Sequence, residues 1–271
     1  MRRVLTALAL VGVLVPALFL VGSPWMFGIA LAISMAGAVE LVSILRRLAP
    51  GAPYSLLYVG APALACLLAF APAGAIGPMA LLAGLVTLSF GAVVVTSAPI
   101  ERAAHGAALL ALATPYLALA PAAIYQVHRW DPWLVFLLAA VVVLGDSAAF
   151  YAGRRFGRRR MAPIISPKKT WEGAVAGWLI AVASAAVFSV WHLERLDWRL
   201  VAVCAVTSVA AQLGDLAESV LKRGAGVKDS GHLLPGHGGV LDRVDALLFA
   251  APVYQLGLQW SGAWAATHGG G

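Results

Sequence analysis

Residues 211–245 have the sequence AQLGDLAESVLKRGAGVKDSGHLLPGHGGVLDRVD, and this stretch decides how the rest of the chain is interpreted. Two apolar segments with the length of membrane spans meet here. Five acidic residues lie in or beside them: Asp215, Glu218, Asp229, Asp242 and Asp245. Because a carboxylate at bilayer depth costs at least ~2.5 kcal/mol, acids in such segments are by default a functional hypothesis.

The spacing of these acids sharpens that hypothesis. In a helix, Asp215, Glu218 and Lys222 share one face, and Asp242 and Asp245 share a face of the next helix. The loop between the two segments is basic and rich in glycine. Acidic pairs on two helices offer oxygen ligands to divalent cations, and such a loop offers cations and N–H groups to phosphates. The combination indicates phosphoryl or nucleotidyl transfer.

The run from Ser219 to Asp245 has the pattern S-x-L-K-R-x4-K-D-x-G-x2-L-P-x-H-G-G-V-x-D-R-V-D. Over these 27 residues it resembles the signature of the phosphatidate cytidylyltransferases, also called CDP-diacylglycerol synthases. A second block, from Asp146–Phe150 through Ser166–Gly173, also resembles that family. The two blocks cover roughly the C-terminal half. The first 130 residues match only as serial hydrophobic spans.

The resemblance implies that CTP and phosphatidate are converted to CDP-diacylglycerol and pyrophosphate for phospholipid synthesis, with magnesium or a similar divalent cation. The partners it implies are CTP, phosphatidate and membrane lipids, with no nucleic acid; monomer and homodimer both stay open. It places the protein in a bacterial inner (plasma) membrane, with the active site facing the cytoplasm.

The candidate site residues fall into three groups. We expect a metal site at Asp215, Asp242 and Asp245, and catalytic roles for these acids together with Lys222 and Arg223. The expected substrate-binding residues are Asp146, Lys168, Lys169, Thr170, Ser219, Lys228, Asp229, His237, Gly238 and Gly239.

Some of these roles stay open. Lys168, Lys169 and Thr170 precede a predicted span, where a helix N-terminus favours anions, so we favour phosphate binding there. Asp229 is either itself a ligand in the site or a residue that orders the loop through Lys228. His237 either packs in the loop, or contacts substrate or takes part in catalysis.

The composition sets the class independently of any motif. Of 271 residues, 61% are hydrophobic and 11% are charged, against ~25% charged in an ordinary soluble domain. Repeated apolar runs of ~20 residues predict an all-α polytopic membrane protein. The nine predicted spans are Val4–Gly22, Trp25–Leu45, Tyr54–Ala71, Ile76–Val95, Ala103–Tyr125, Trp133–Tyr151, Gly173–Trp191, Leu200–Leu221 and Leu241–Trp260.

The basic residues predict the orientation. With the N-terminus inside, the cytoplasmic segments contain 15 of the 19 Lys and Arg residues, as the positive-inside rule requires. Both motif blocks then face the cytoplasm, where a nucleotide is available. We expect residues 1–130 to be a transmembrane scaffold and residues 131–271 to form the catalytic transmembrane region.

Other interpretations stay open at this point. A related CTP-dependent enzyme would act on another lipid, such as an archaeol-type phosphate or a polyprenol. An ion-coupled transporter would place its acids near the midplane, with broken helices. A structural or assembly protein would make the long motif accidental. Glu40, in the second span, is either a packed interhelical residue or part of a polar site.

Overall fold

A computed structural model describes residues 16–71, 77–95, 100–231 and 238–263. Within these ranges the chain forms eight α-helices of at least 14 residues and one β-hairpin. A single 3-10 turn, Tyr54–Leu56, precedes the second helix. The helices are α1 (Ser23–Leu48), α2 (Leu57–Phe70), α3 (Pro78–Val95), α4 (Ile100–Trp130), α5 (Pro132–Phe156), α6 (Trp171–Leu193), α7 (Trp198–Gly224) and α8 (Leu241–Ser261).

These helices coincide with eight of the nine predicted spans, and each end lies within about five residues of its prediction. The remaining span, Val4–Gly22, lies largely outside the described residues. Five helices (α1, α4, α5, α6 and α7) are long and apolar enough to cross a membrane, and α2 and α3 are shorter apolar helices. The architecture is that of an α-helical integral membrane protein. Nine membrane crossings stay a prediction.

The expected all-α class is confirmed, with one small β-hairpin in addition. The basic segment before α6 contains an antiparallel hairpin of two short strands, β1 (Arg160–Ala162) and β2 (Ser166–Thr170). Pro167 lies within β2, which is allowed because each strand of a two-stranded ribbon has an unpaired edge. The hairpin leads directly into α6, so it fixes where Lys168 and Lys169 lie.

Side-chain caps set the beginnings of the two helices around this hairpin. Asp131 caps α5 by accepting a hydrogen bond from the Trp133 N–H at 2.8 Å, with Pro132 in the first helical position. Thr170 caps α6 by accepting from the Gly173 N–H at 3.2 Å. Both are residue types that commonly satisfy the free N–H groups of a first turn.

Glycines let α5 and α6 pack closely. A Cβ at Gly177 would lie 2.6 Å from the Gly145 carbonyl oxygen, and one at Gly173 would lie 2.6 Å from that of Ala149. Small residues at such positions are the usual means of close helix packing in membranes. This contact places Asp146 on α5 beside the start of α6.

The chain divides into two compact units. The first comprises the described residues of Met1–Phe27, Ala123–Val220 and Asp245–Gly271, and so contains the hairpin and most of α5 to α8. The second comprises Gly28–Ala122 and Leu221–Val244. The predicted division at residue 130, into a transmembrane scaffold and a catalytic region, concerns function and stays a prediction.

The fold gives the predicted orientation a direct test. Helix α6 has 23 residues and is therefore ~35 Å long, enough to cross a ~30 Å hydrocarbon core. In a variant without Cys66 and Cys204, a cysteine replacing the exposed Ile164 in the hairpin should react with an impermeant thiol reagent from the cytoplasmic side. A cysteine replacing the exposed Leu196, beyond α6, should react from the opposite side. Reaction of both from the same side would contradict the orientation.

Candidate active site

A cavity of about 230 Å³ lies within the first unit, between α5, α6 and α7. Most of its wall is apolar, including Val141, Ala149 and Phe150. Seven polar side chains also line it: Asp146, Lys168, Lys169, Thr170, Ser208, Gln212 and Asp215. Five of these seven are residues that the sequence predicted for the site. The cavity therefore combines an apolar wall with a group of charges, which suits an amphipathic ligand.

An ion pair crosses this cavity from the hairpin to α7. The Lys169 Nζ lies 2.6 Å from the Asp215 Oδ2, and the two side chains are 23% and 31% exposed. An ion pair with this much solvent contact contributes little to stability. Both groups line the cavity, and their predicted roles in binding stay a prediction.

Helix α8 packs closely against α7 beside Asp215. A Cβ at Gly214 would lie 2.7 Å from the Asp245 carbonyl oxygen and 2.9 Å from the Phe249 Cβ. Only glycine allows the backbones to come this near without displacement. Asp215 and Asp245 therefore lie on two helices that are in contact at the level of these residues, as their predicted shared role requires.

The basic loop before the hairpin is closed by Glu172. Its carboxylate, which precedes the predicted span, accepts hydrogen bonds from the backbone N–H groups of Arg158 at 3.1 Å and Arg159 at 3.2 Å. Hydrogen bonds from its own backbone N–H and from these two N–H groups lower the pKa of the Glu172 carboxyl. The loop therefore returns to the N-terminus of α6, where Lys168 and Lys169 lie.

The second unit contains its own cluster around Asp242. The Lys222 Nζ donates to the Asp242 Oδ1 at 2.5 Å, and the two side chains are 10% and 13% exposed. The Asp242 Oδ2 also accepts from the backbone N–H groups of Ser230 at 3.0 Å and Gly239 at 2.9 Å. Asp242 thus holds both ends of the signature loop as well as the lysine.

Gly238 has a backbone that only glycine adopts readily. Its φ is +81°, and a Cβ there would lie 3.0 Å from the Asp242 Oδ2. A side chain would therefore be strained and would crowd the carboxylate. Gly238 and Gly239 thus order the loop around Asp242, and their substrate-binding role stays a prediction.

The remaining predicted residues are placed as follows. Arg223 is exposed and donates to the Val227 carbonyl oxygen at 3.1 Å. Lys228 and Asp229 are exposed, whereas Ser219 is buried. His237 lies outside the described residues.

The acids offer oxygen ligands only, and this donor chemistry fits magnesium rather than zinc. Across the described ranges, no group of three or more His, Cys, Asp or Glu side chains is arranged to hold a metal ion. Magnesium in nucleotide enzymes commonly uses only one or two carboxylates, with substrate phosphates completing the coordination. Asp215 and Asp245, on contacting helices, fit that requirement. The joint site with Asp242 stays a prediction.

Two polar residues of the cavity, Ser208 and Gln212, and two near Asp242 in the second unit, Ser230 and Glu40, had no assigned role from the sequence. Gln212 lines the cavity and donates from its Nε2 to the Ala174 carbonyl oxygen at 3.1 Å. Ser230 lies within the signature run at a position where the family pattern specifies no residue. Glu40 had stayed open between packing and a polar site. The only sequence signal for Glu40 was its charge inside an apolar span.

Comparison with known proteins agrees with these features. A family model described as the cytidylyltransferase family matches residues 1–260. A Brucella suis protein named phosphatidate cytidylyltransferase is 47% identical over 123 residues, which are 45% of each chain. A protein of the same name from Bacillus subtilis is 40% identical over 147 residues, covering 53% of this chain and 55% of the relative.

A longer match involves a Staphylococcus epidermidis protein with the same name. It is 35% identical over 177 residues, covering 65% of this chain and 68% of the relative. In the stronger matches, however, the chain spans about half the length of the curated relatives.

Proposed function

The chain belongs to the cytidylyltransferase family, and from that premise we propose that it transfers CMP from CTP to phosphatidate, giving CDP-diacylglycerol and pyrophosphate. The relatives' shared name supports this substrate pair. The observation that carries the proposal is the cavity where Lys168, Lys169 and Asp215 meet an apolar wall. A lipid phosphate needs both features, because its head is anionic and its glycerol ester end is apolar.

The proposed reaction balances with these two substrates alone. An oxygen of the phosphatidate phosphate forms a bond to the α-phosphorus of CTP, and the bond from that phosphorus to the oxygen bridging to the β-phosphorus breaks. Pyrophosphate leaves with the bonding electrons. A phosphate monoester has a second pKa near ~6 and is largely dianionic at neutral pH, so the nucleophile needs little help from a general base.

The main barrier is therefore the repulsion between two polyanions. Lys168 and Lys169 bind the anionic oxygens of the lipid phosphate, and the Thr170-capped start of α6 adds the N-terminal dipole. Lys222, Arg223 and Lys228 neutralise the triphosphate and the departing pyrophosphate. When bound at Asp215 and Asp245, a divalent cation supplies further charge neutralisation at the phosphates.

We also infer the cellular setting. The cation distribution supports a cytoplasm-facing site in a bacterial inner membrane, because CTP is a cytoplasmic nucleotide and the basic segments gather on one side. Monomer and homodimer fit the sequence and the fold equally.

Incubation of the purified protein with labelled CTP, magnesium and one lipid phosphate at a time tests the proposal. We expect labelled CDP-diacylglycerol and an equal amount of pyrophosphate with phosphatidate. A polyprenyl phosphate and an archaeol-type phosphate, each presented in the same nanodiscs, serve as matched acceptors. Incorporation with one of these but not with phosphatidate would contradict the proposed substrate, and no incorporation with any would contradict the proposed reaction.

A further inference from the structure

Glu40, in the middle of α1, is buried and binds the signature loop from a distant part of the chain. The residue is 4% exposed. The Oε2 accepts hydrogen bonds from the Ser230 hydroxyl at 2.9 Å and the Leu241 N–H at 2.8 Å. The Oε1 accepts from the Val240 N–H at 3.0 Å. One side chain therefore holds both the beginning and the end of the loop.

The loop residues around these bonds have no room for side chains. A Cβ at Gly231 would lie 2.5 Å from the Glu40 Oε1, and one at Gly239 would overlap the Glu40 carboxylate and the Ser230 hydroxyl. Gly37, one turn before Glu40, lets Leu241 approach α1, where a Cβ would lie 3.4 Å from the leucine Cδ1. Gly231 and Gly239 of the signature run thus leave the space that the Glu40 carboxylate occupies, although Glu40 lies outside that run.

Two of the donors are N–H groups at the start of α8. The first N–H groups of a helix have no partner within the helix, and the dipole makes this end electropositive. An ionised carboxylate has acceptor sites only, so two N–H groups and one hydroxyl suit it. Glu40 thus gives α8 an anionic cap from another helix.

The same loop residues are held from the other side by Asp242. Ser230 donates its hydroxyl to Glu40 and its N–H to Asp242. Gly239 donates its N–H to Asp242, and the next two residues, Val240 and Leu241, donate theirs to Glu40. A shift of the loop away from Glu40 would therefore also displace the partners of Asp242 and change its pairing with Lys222.

We propose that Glu40 is a positioning residue for the transfer reaction: it fixes the signature loop at both ends and thereby sets where Asp242 and Lys222 present their charges. This inference rests on the proposed function for the reaction that is measured. The placement of the loop itself can be measured without any substrate.

The test compares Glu40→Gln, Ser230→Ala and Ser43→Ala in nanodiscs. Glutamine keeps the size of the side chain but exchanges one acceptor oxygen for an amide that faces N–H or O–H donors. Ser230→Ala removes only the hydroxyl bond. Ser43→Ala is the matched control, because the exposed Ser43 donates its hydroxyl to the Glu40 backbone carbonyl on the same helix and has no described bond to the loop.

Two readouts separate positioning from simple stabilisation. Amide hydrogen exchange of peptides covering residues 225–231 and 238–245 reports the loop, with α5 and α6 as internal references. Steady-state kinetics with CTP and phosphatidate report kcat and KM separately. Loss of a partner that orients a site residue typically costs ~10–100-fold in activity. We therefore expect Glu40→Gln to lower kcat by at least ~10-fold, with a smaller change in the KM for phosphatidate.

Faster exchange confined to the loop in Glu40→Gln and Ser230→Ala, together with the fall in kcat and an unchanged Ser43→Ala, would support the inference. Wild-type kcat and wild-type loop exchange in Ser230→Ala would overturn it, even where Glu40→Gln fails to fold. A lower melting temperature with normal kcat per folded molecule would also overturn it, since that is a structural role only. If the wild-type protein makes no CDP-diacylglycerol, the proposed function fails, and the exchange data alone decide whether Glu40 fixes the loop.

Discussion

Replacing Asp215 with Asn is expected to slow CMP transfer by ~100-fold or more while leaving the fold intact. Asp215 lines the cavity beside Lys169, and each ~1.4 kcal/mol of lost transition-state stabilisation slows a reaction about tenfold. A divalent cation supplies several kcal/mol at such a centre. The change in thermal stability should be small, because Asp215 is about a third exposed. The measurements are kcat, the apparent magnesium affinity and the melting temperature of the purified variant.

A matched control lies at the other end of the same helix. Asp197 accepts a hydrogen bond from the Arg199 N–H at 2.9 Å near the start of α7. Asn caps a helix about as well as Asp, so Asp197→Asn makes the same change of charge without removing the cap. We expect near wild-type kcat and magnesium affinity from this variant. An unchanged magnesium affinity in Asp215→Asn would remove Asp215 from the metal site.

The partner of Asp215 allows the two roles to be separated. Lys169 holds the Asp215 carboxylate with its own positive charge, so it competes with any cation that binds there. Lys169→Met should therefore leave magnesium affinity unchanged or raise it, and should weaken the binding of phosphatidate. A loss of magnesium affinity in both variants would instead indicate that the pair acts as one structural unit.

The helices of this chain could be predicted from the sequence because each is a long apolar run between polar or glycine- and proline-containing connectors. The hairpin before α6 could not, since its strands have three and five residues and contain Arg160, Lys168 and Lys169. Strands this short show no alternation of apolar and polar residues that would distinguish them from a basic loop. Their pairing depends on Glu172 and Thr170, which close the loop from its far end.

The sequence predicted many of the residues that lie in the candidate site, but it did not predict which of them form ion pairs or hydrogen bonds with each other. Four polar residues of the cavity belong to the motif block that ends at Gly173, and Asp215 lies just before the signature run. Nothing in the spacing indicated that Lys169 pairs with Asp215 and Lys222 with Asp242. Glu40 shows the limit most clearly. Its partners are about 200 positions away along the chain, and hydrogen bonds between such distant residues leave no local pattern in one sequence.

The Lys222–Asp242 pair should show how much of this cluster serves stability. Removing one member of a well-buried ion pair costs about 3–5 kcal/mol, because the other charge stays behind. After Lys222→Met, Asp242 keeps its hydrogen bonds from the Ser230 and Gly239 N–H groups. The free energy of unfolding should therefore fall less in this variant than in Asp242→Asn. After Asp242→Asn, the lysine loses its carboxylate and the loop loses an anionic acceptor, so stability should fall by ~3 kcal/mol or more.

Unfolding of both single variants and of the double variant, in the same detergent, measures the coupling directly. We expect the double variant to be more stable than the sum of the single effects predicts, because removing both charges leaves neither of them buried without its partner. Strictly additive losses would show that the two side chains do not act as a pair.

The predicted metal role of Asp242 leads to a different expectation. If Asp242 is chiefly a magnesium ligand, Asp242→Asn should lower the apparent magnesium affinity and leave the unfolding free energy nearly unchanged. Since its carboxylate already accepts hydrogen bonds from Lys222, Ser230 and Gly239, we expect the loss of stability to be the larger of the two effects.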